Sequence, residues 1–359
     1  TDQSSKQFIF TNNSGVFQDI SVTTGINHEG RDITALTADY DNDGFLDLLI
    51  LNDQKSRLYK NDGEGKFIDL TSTTGINFKS NNMQAGFFDY DLEGDLDLFV
   101  ATGSANQLYR NNADGTFTEI SARSGTAGES VSSRDVAFGD FDDDGDVDIF
   151  VLNLDGVSRY YDNLRQGYFA DITATVGLDF VGQPNSVVSG DYNNDGYLDL
   201  FIADLAGEQH AVFQNRGDGT FIKDKQSLSA INVLTGFFAI QAYFSDLDND
   251  GYLDLLVAGS PTGTDKYQSG LILLHNDGHG KYTDASSSLP DKLGFIKQVK
   301  TADMDNDGDQ DIIIINDRSS VRILRNDGGN LNNYLKVSLT GLRMGSSKNN
   351  YFGFGSKVE

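Results

Sequence analysis

The 359-residue chain has no cysteine, no tryptophan, only three prolines and half as many basic residues as acidic ones. Without cysteine there can be no disulfide, no thiolate chemistry and no zinc–thiolate site. The 27 bases against 54 acids give a formal charge of −27. That balance argues against nucleic acid or an anionic membrane as a partner, since both call for a basic surface. No apolar run approaches the length of a membrane span. Nor is there an H-E-x-x-H, a G-x-S-x-G or a phosphate-binding loop. The histidines His28, His210, His275 and His279 are scattered, and the last two flank a turn and read as solvated turn residues. A pair of carboxylates of the glycosidase kind stays open among so many acids. Their regular use as metal ligands is the simpler account.

What the chain has is a nine-residue motif written six times. Its positions 1, 3, 5 and 9 are Asp39, Asp41, Asp43 and Asp47 in the first copy, then Asp89, Asp91, Glu93 and Asp97, then Asp140, Asp142, Asp144 and Asp148. The later copies have Asp191, Asn193, Asp195 and Asp199, then Asp246, Asp248, Asp250 and Asp254, then Asp303, Asp305, Asp307 and Asp311. Four carboxylates at this spacing converge only if the chain turns sharply, and a glycine at position 6 permits the turn. Calcium is a hard cation that takes six to eight oxygens, which such a loop, a backbone carbonyl and water can supply. About six structural calcium ions are expected. They would lower the charge only to about −15, and clustered carboxylates without them would repel one another.

The motifs start 50, 51, 51, 55 and 57 residues apart, which marks a structural repeat whose units cannot bury a core alone. In residues 33–72 an alternating run leads into the loop, and Leu46–Leu51 follows as a nearly continuous apolar strand. A third strand, an Asn-Asp-Gly-Glu-Gly hairpin turn and a fourth strand complete the unit. The same order recurs at 83–121, 134–173, 186–224 and, less regularly, 238–285. Four-stranded antiparallel units at this period predict an all-β fold, a β-propeller. Residues 8–21 match the second half of a repeat and predict a blade shared between the two termini. Seven blades are therefore expected, with six as the alternative. Residues 1–330 form the propeller in this reading, and 331–359 a further segment packed as closing strands.

An EF-hand begins similarly but needs an acid at position 12 and flanking helices. Position 12 here is Ile50, Val100, Val151, Ile202, Val257 and Ile314, all apolar, which excludes it. Nine-residue D-x-D-x-D-G-x-x-D loops followed by N-x-G-x-G-x-F turns resemble the FG-GAP/VCBS repeats of integrin α-subunit propellers. The resemblance covers residues 8 to about 326. Residues 332–341 and 353–358 look like the opening of the ASPIC/UnbV domain that follows such repeats in cartilage acidic protein and its bacterial relatives. The resemblance implies one calcium per loop, with the position 7 carbonyl of Phe45, Asp95, Asp146, Tyr197, Tyr252 or Asp309 completing each set. Glu93 and Asn193 depart from the pattern, and their loops are expected to be the weakest sites.

Metal in every repeat points to a structural ion and leaves function to a partner surface. By the resemblance, that surface lies on the rim opposite the metal loops. Arg31, Arg134, Asn185, Gln241 and Lys297 stand just before or within first strands and are the candidates for it, beside Phe78, Phe180 and Tyr267. The expected function is a secreted or surface-displayed calcium-stabilised module that binds an extracellular protein or glycan. A propeller lectin and a funnel-site enzyme such as a polysaccharide lyase are the alternatives. A start at Thr1 without an initiator methionine fits a processed extracellular chain, and the periplasm is also open.

Overall fold

Short β-branched and aromatic runs, bounded by Gly, Asn and Asp, fold as strands with tight turns. The structure, a computed structural model, describes residues 7–128, 131–165, 167–178, 180, 182–225, 231–261, 270–278, 281–316, 320–328, 332, 334–341 and 350–352. Tyr267, His279 and residues 353–358 lie outside them. The fold class is an all-β propeller built of antiparallel blades.

A hairpin of β1 (Phe10–Asn13) and β2 (Val16–Asp19) comes first. Blade 1 is β3 (Asp32–Ala38), β4 (Asp47–Asn52), β5 (Arg57–Asn61) and β6 (Phe67–Asp69). Blade 2 is β7 (Asn82–Phe88), β8 (Asp97–Thr102), β9 (Gln107–Asn111) and β10 (Phe117–Glu119). Blade 3 is β11 (Ser133–Gly139), β12 (Asp148–Asn153), β13 (Arg159–Asn163) and β14 (Phe169–Asp171). Blade 4 is β15 (Pro184–Gly190), β16 (Asp199–Asp204), β17 (Ala211–Asn215) and β18 (Phe221–Lys223). Blade 5 is β19 (Phe237–Ser245), β20 (Asp254–Pro261), β21 (Leu271–Asn276) and β22 (Tyr282–Asp284). Blade 6 has three strands among the described residues, β23 (Ile296–Ala302), β24 (Asp311–Asn316) and β25 (Val321–Leu324).

The structure thus has six blades where the sequence reading put seven first. Among the described residues β1 and β2 pair only with each other, and 334–341 form no strand beside them. The sequence after Gly328 also lacks the G-x-F or G-x-Y step that opens the fourth strand elsewhere.

The chain divides into two compact units. The first, residues 1–138, 145–172 and 337–359, has one core between blades 1 and 2, around Leu49, Leu51, Leu98 and Tyr109. A second core lies between blades 2 and 3, around Phe99, Leu108, Ile149 and Tyr161. The second unit, residues 139–144 and 173–336, repeats the arrangement with Phe201, Leu255 and Leu274 between blades 4 and 5. Leu256, Val299 and Ile314 fill the space between blades 5 and 6. The position 12 residue of each motif lies on the second strand of its blade, and Val100, Val151, Ile202, Val257 and Ile314 are fully buried there. Burying side chains of this size contributes about 1.5–3 kcal/mol each.

Candidate metal-binding loops

Each motif is the connection between the first two strands of a blade. In blades 1, 2, 4, 5 and 6 its position 9 residue opens the second strand, paired with the last residue of the first, as in Ala38↔Asp47 and Ser245↔Asp254. Two residues per loop take the left-handed conformation. One is the expected glycine, at φ 88° in Gly251. The other is position 4, occupied by Asn42, Leu92, Asp143, Asn194, Asn249 and Asn306 at φ 54–64°. Asn and Asp tolerate that region best, which explains why four of the six are asparagine.

The turn aims backbone N–H groups at the carboxylates. In the first loop, Asp43 N donates to Asp39 Oδ1 at 2.9 Å and Gly44 N to Asp39 Oδ2 at 2.9 Å. Phe45 N donates to Asp43 Oδ1 at 2.9 Å, and Tyr40 N to Asp47 Oδ2 at 3.2 Å. The same set recurs at Asp89 and Asp97, at Asp191 and Asp199, and at Asp246 and Asp254. As a result Asp39, Asp41 and Asp43 can offer oxygens within 4.8 Å of one another, and so can Asp89, Asp91 and Asp97. Asp140, Asp142 and Asp144 form another such group, as do Asp246, Asp248 and Asp250. Asp303 and Asp305 are half-buried in the sixth loop. Asp146 and Asp309, whose carbonyls were assigned to position 7, have fully buried side chains.

These groups fit a dication. Oδ1 of Asp248, Asp303 and Asp305 is shut off from water and accepts no hydrogen bond among the described residues. A buried carboxylate oxygen without a donor is costly, and a cation relieves it. Burial also pushes the carboxyls up against the opposing pull of the backbone N–H groups. Asp47 rises to about 7, Asp199 to about 8, and Asp89 and Asp254 to about 6, with neighbouring carboxylates adding to the shift. Asp97 is driven well above its ordinary value for the same reasons.

The sequence reading missed the residue that fastens each loop. The asparagine at or just beyond the end of each third strand (Asn61, Asn111, Asn163, Asn215, Asn276 and Asn326) donates its backbone N–H to the position 9 aspartate. Its Nδ2 donates to the carbonyl of position 8. In all but Asn61, Nδ2 also donates to the position 2 carbonyl of the preceding blade's loop: Tyr40, Tyr90, Phe141, Tyr192 or Leu247. Position 2 then packs its ring on the aromatic residue that opens the next blade's fourth strand. The pairs are Tyr40–Phe117 at 5.8 Å, Tyr90–Phe169 at 6.2 Å, Phe141–Phe221 at 6.1 Å and Tyr192–Tyr282 at 6.2 Å. The asparagine recurs in the sequence, but its distance from position 9 varies from 14 to 22 residues, which masks it. Position 4 adds a second tie, since Asn42 Nδ2 reaches Gly94 O at 3.1 Å and Asn249 Nδ2 reaches Gly308 O at 3.2 Å.

Next to that asparagine stands the residue that faces the loop. Lys60 contacts Asp41 and Asp43, and Arg110 contacts Asp91 and Glu93. Arg325 lies 3.2 Å from Asp305 and 3.8 Å from Asp307. Burial works against the charge of Lys60, but its hydrogen bonds to Asp41 and Asp43 outweigh that and hold the ammonium above its usual value. His275, expected as a solvated turn residue, instead sits on β21 with Nδ1 3.0 Å from Asp254 and 3.6 Å from Asp248. His28 is buried, tied to Tyr59 and Asp32, and His210 is buried between Asp204 N and Leu234 O.

The candidate partner residues differ in their surroundings. Asn185 donates to Ile240 O, and Gln241 accepts from Val299 N at 2.9 Å, so both link blades of the second unit. Arg134 is half-buried in β11. Arg31 is exposed, 3.9 Å from Asp53, and Lys297 is exposed on β23. Phe78 packs against the core between blades 1 and 2, and Phe180 is half-buried.

FG-GAP-like repeats match residues 39–100, 89–151, 140–202, 191–257 and 246–314, each span running from one motif into the next. The chain belongs to the FG-GAP-like repeat family. It is 27% identical to integrin alpha-V of Gallus gallus over 210 residues, 50% of this chain and 19% of that protein. It is 33% identical to cartilage acidic protein 1 of Xenopus tropicalis over 212 residues, 57% of this chain and 32% of that protein. The matches thus span a third or less of these relatives' length. Among solved structures, a lectin of Agrocybe aegerita that recognises non-reducing terminal N-acetylglucosamine shares the fold. Its TM-score is 0.55 at 19% identity, over 83% of this chain and 82% of that one.

Proposed function

We propose that the chain is a calcium-stabilised binding module for an extracellular protein or glycan partner. The observation that carries the calcium reading is the clustered aspartates with buried, donorless oxygens at Asp248, Asp303 and Asp305. Positions 1, 3, 5 and 9 of each motif would hold the ion, with the position 7 carbonyl. Bound calcium supplies positive charge where the chain has packed acids. The asparagines Asn111, Asn163, Asn215, Asn276 and Asn326 connect each loop to its neighbour, so an ion there stiffens the blade-to-blade contact and calls for no chemistry. Family membership beside integrin alpha-V supports a binding role over an enzymatic one. An extracellular or surface setting accords with a need for calcium, and among the described residues no helix is long and apolar enough to cross a membrane. The likeness of residues 332–341 to the start of an ASPIC/UnbV domain belongs to the same reading.

The test is an array of matrix proteins and glycans, terminal N-acetylglucosamine included, probed with the folded chain in about 2 mM calcium and again in EDTA. A calcium-dependent hit on either class is expected. A blank array in calcium from a demonstrably folded sample contradicts the binding role.

A further inference from the structure

The six loops are not chemically equal, and the difference lies outside the motif. Backbone N–H groups take one oxygen at position 3 in the loops of blades 1, 2, 3 and 4, as Asp43 N does for Asp41 Oδ1, and one at position 5 in those of blades 1, 4, 5 and 6, as Phe45 N does for Asp43 Oδ1. In blades 1, 2, 4, 5 and 6 a second oxygen faces the residue just before the third-strand asparagine, a position that holds Asp162 in blade 3. In blade 1 Lys60 Nζ takes both, on Asp41 Oδ2 and Asp43 Oδ2. In blade 2 Arg110 takes Asp91 Oδ2 and Glu93 Oε2, and in blade 6 Arg325 faces Asp305 Oδ2 and Asp307 Oδ2. Blade 4 puts a neutral amide there, with Gln214 Nε2 3.4 Å from Asp195 Oδ2. Blade 5 puts His275 there, a side chain that can itself ligate metal through a neutral imidazole.

We propose that Lys60, Arg110 and Arg325 are built-in counter-ions that compete with calcium for their own loops, so that the loop of blade 5 fills before those of blades 1, 2 and 6. This rests on the calcium reading above. The competition is electrostatic. A fixed cation on two of the four ligand carboxylates occupies their unused oxygens and repels a dication a few ångströms away. The same cation neutralises part of the loop when calcium is scarce. Blades 1, 2 and 6 therefore hold their shape at low calcium, while blade 5, with four aspartates and no such cation among the described residues, depends on the ion. Blade 4, one carboxylate short at Asn193, falls between.

The test is calorimetric calcium titration of the full chain and of the triple variant K60Q/R110Q/R325Q, with thermal melts of both in EDTA. Glutamine already occupies this position in blade 4, so the variant keeps a side chain the fold accepts. The wild type is expected to bind calcium in a tight and a weak class. The variant should bind its weak class about tenfold or more tighter and melt lower in EDTA. The reverse variant Gln214→Lys guards against a triple variant that fails to fold, and it should lose affinity at one site only. Isotherms unchanged by either substitution overturn the proposal and leave the calcium reading standing. An absence of calcium uptake by wild type and variants alike removes both.

Discussion

The carboxylates of the loops are buried and crowded, and both effects oppose their ionisation. Burial raises Asp47 to about 7 and Asp199 to about 8 from the ordinary 3.8. Between those limits the metal-free folded chain keeps protons that the unfolded chain has released, so its stability falls as pH rises from about 4 to 8. Urea midpoints in EDTA across that range should decline. With calcium present the ligands are ionised in the folded state, so the slope reverses and acid is what weakens the protein. The asparagine staple carries its own expectation. Asn111→Ala removes three side-chain hydrogen bonds, to Tyr40 O, to Leu96 O and from Ala113 N, and strands buried carbonyls. It should cost roughly 2–4 kcal/mol in chemical denaturation. Asn112→Ala, on the exposed turn next door with bonds only to Thr116 and Thr118, should cost under about 0.5 kcal/mol.

At the scale of the element, the loop was legible because calcium chemistry fixes both residue type and spacing. The blades were legible because glycine and asparagine turns interrupt apolar runs at a steady interval, and the expected span of 33–72 for the first became strands from 32 to 69. Less visible was what binds blade to blade. The ring of Tyr90 reads as one aromatic among many until it meets Phe169, which is distant in the chain. The number of blades was harder still, because a half repeat at residues 8–21 predicts partner strands that 334–341 do not form. At Gly251 the ideal Cβ would meet nothing within 4 Å, yet φ is 88°. Gly251→Ala should therefore cost about 1–2 kcal/mol from backbone conformation alone, and should lower calcium affinity at that loop in a titration.

For the whole molecule the dominant quantity is charge, −27 over 359 residues. An excess of that size opposes compaction, and much of it lies in the motif loops, each between the first two strands of a blade. Composition made the need for counter-charge plain. It could not show that Lys60, Arg110 and Arg325 already supply part of it, since a lone base in a strand reads as a solvated side chain until the loop folds beneath it. The most direct check is a thermal melt of the full chain near neutral pH, in calcium and in EDTA. Calcium that binds only the folded loops should raise the midpoint by about 10 °C or more. Superimposable melts, from a chain shown to be folded in both buffers, would contradict a structural role for the ion.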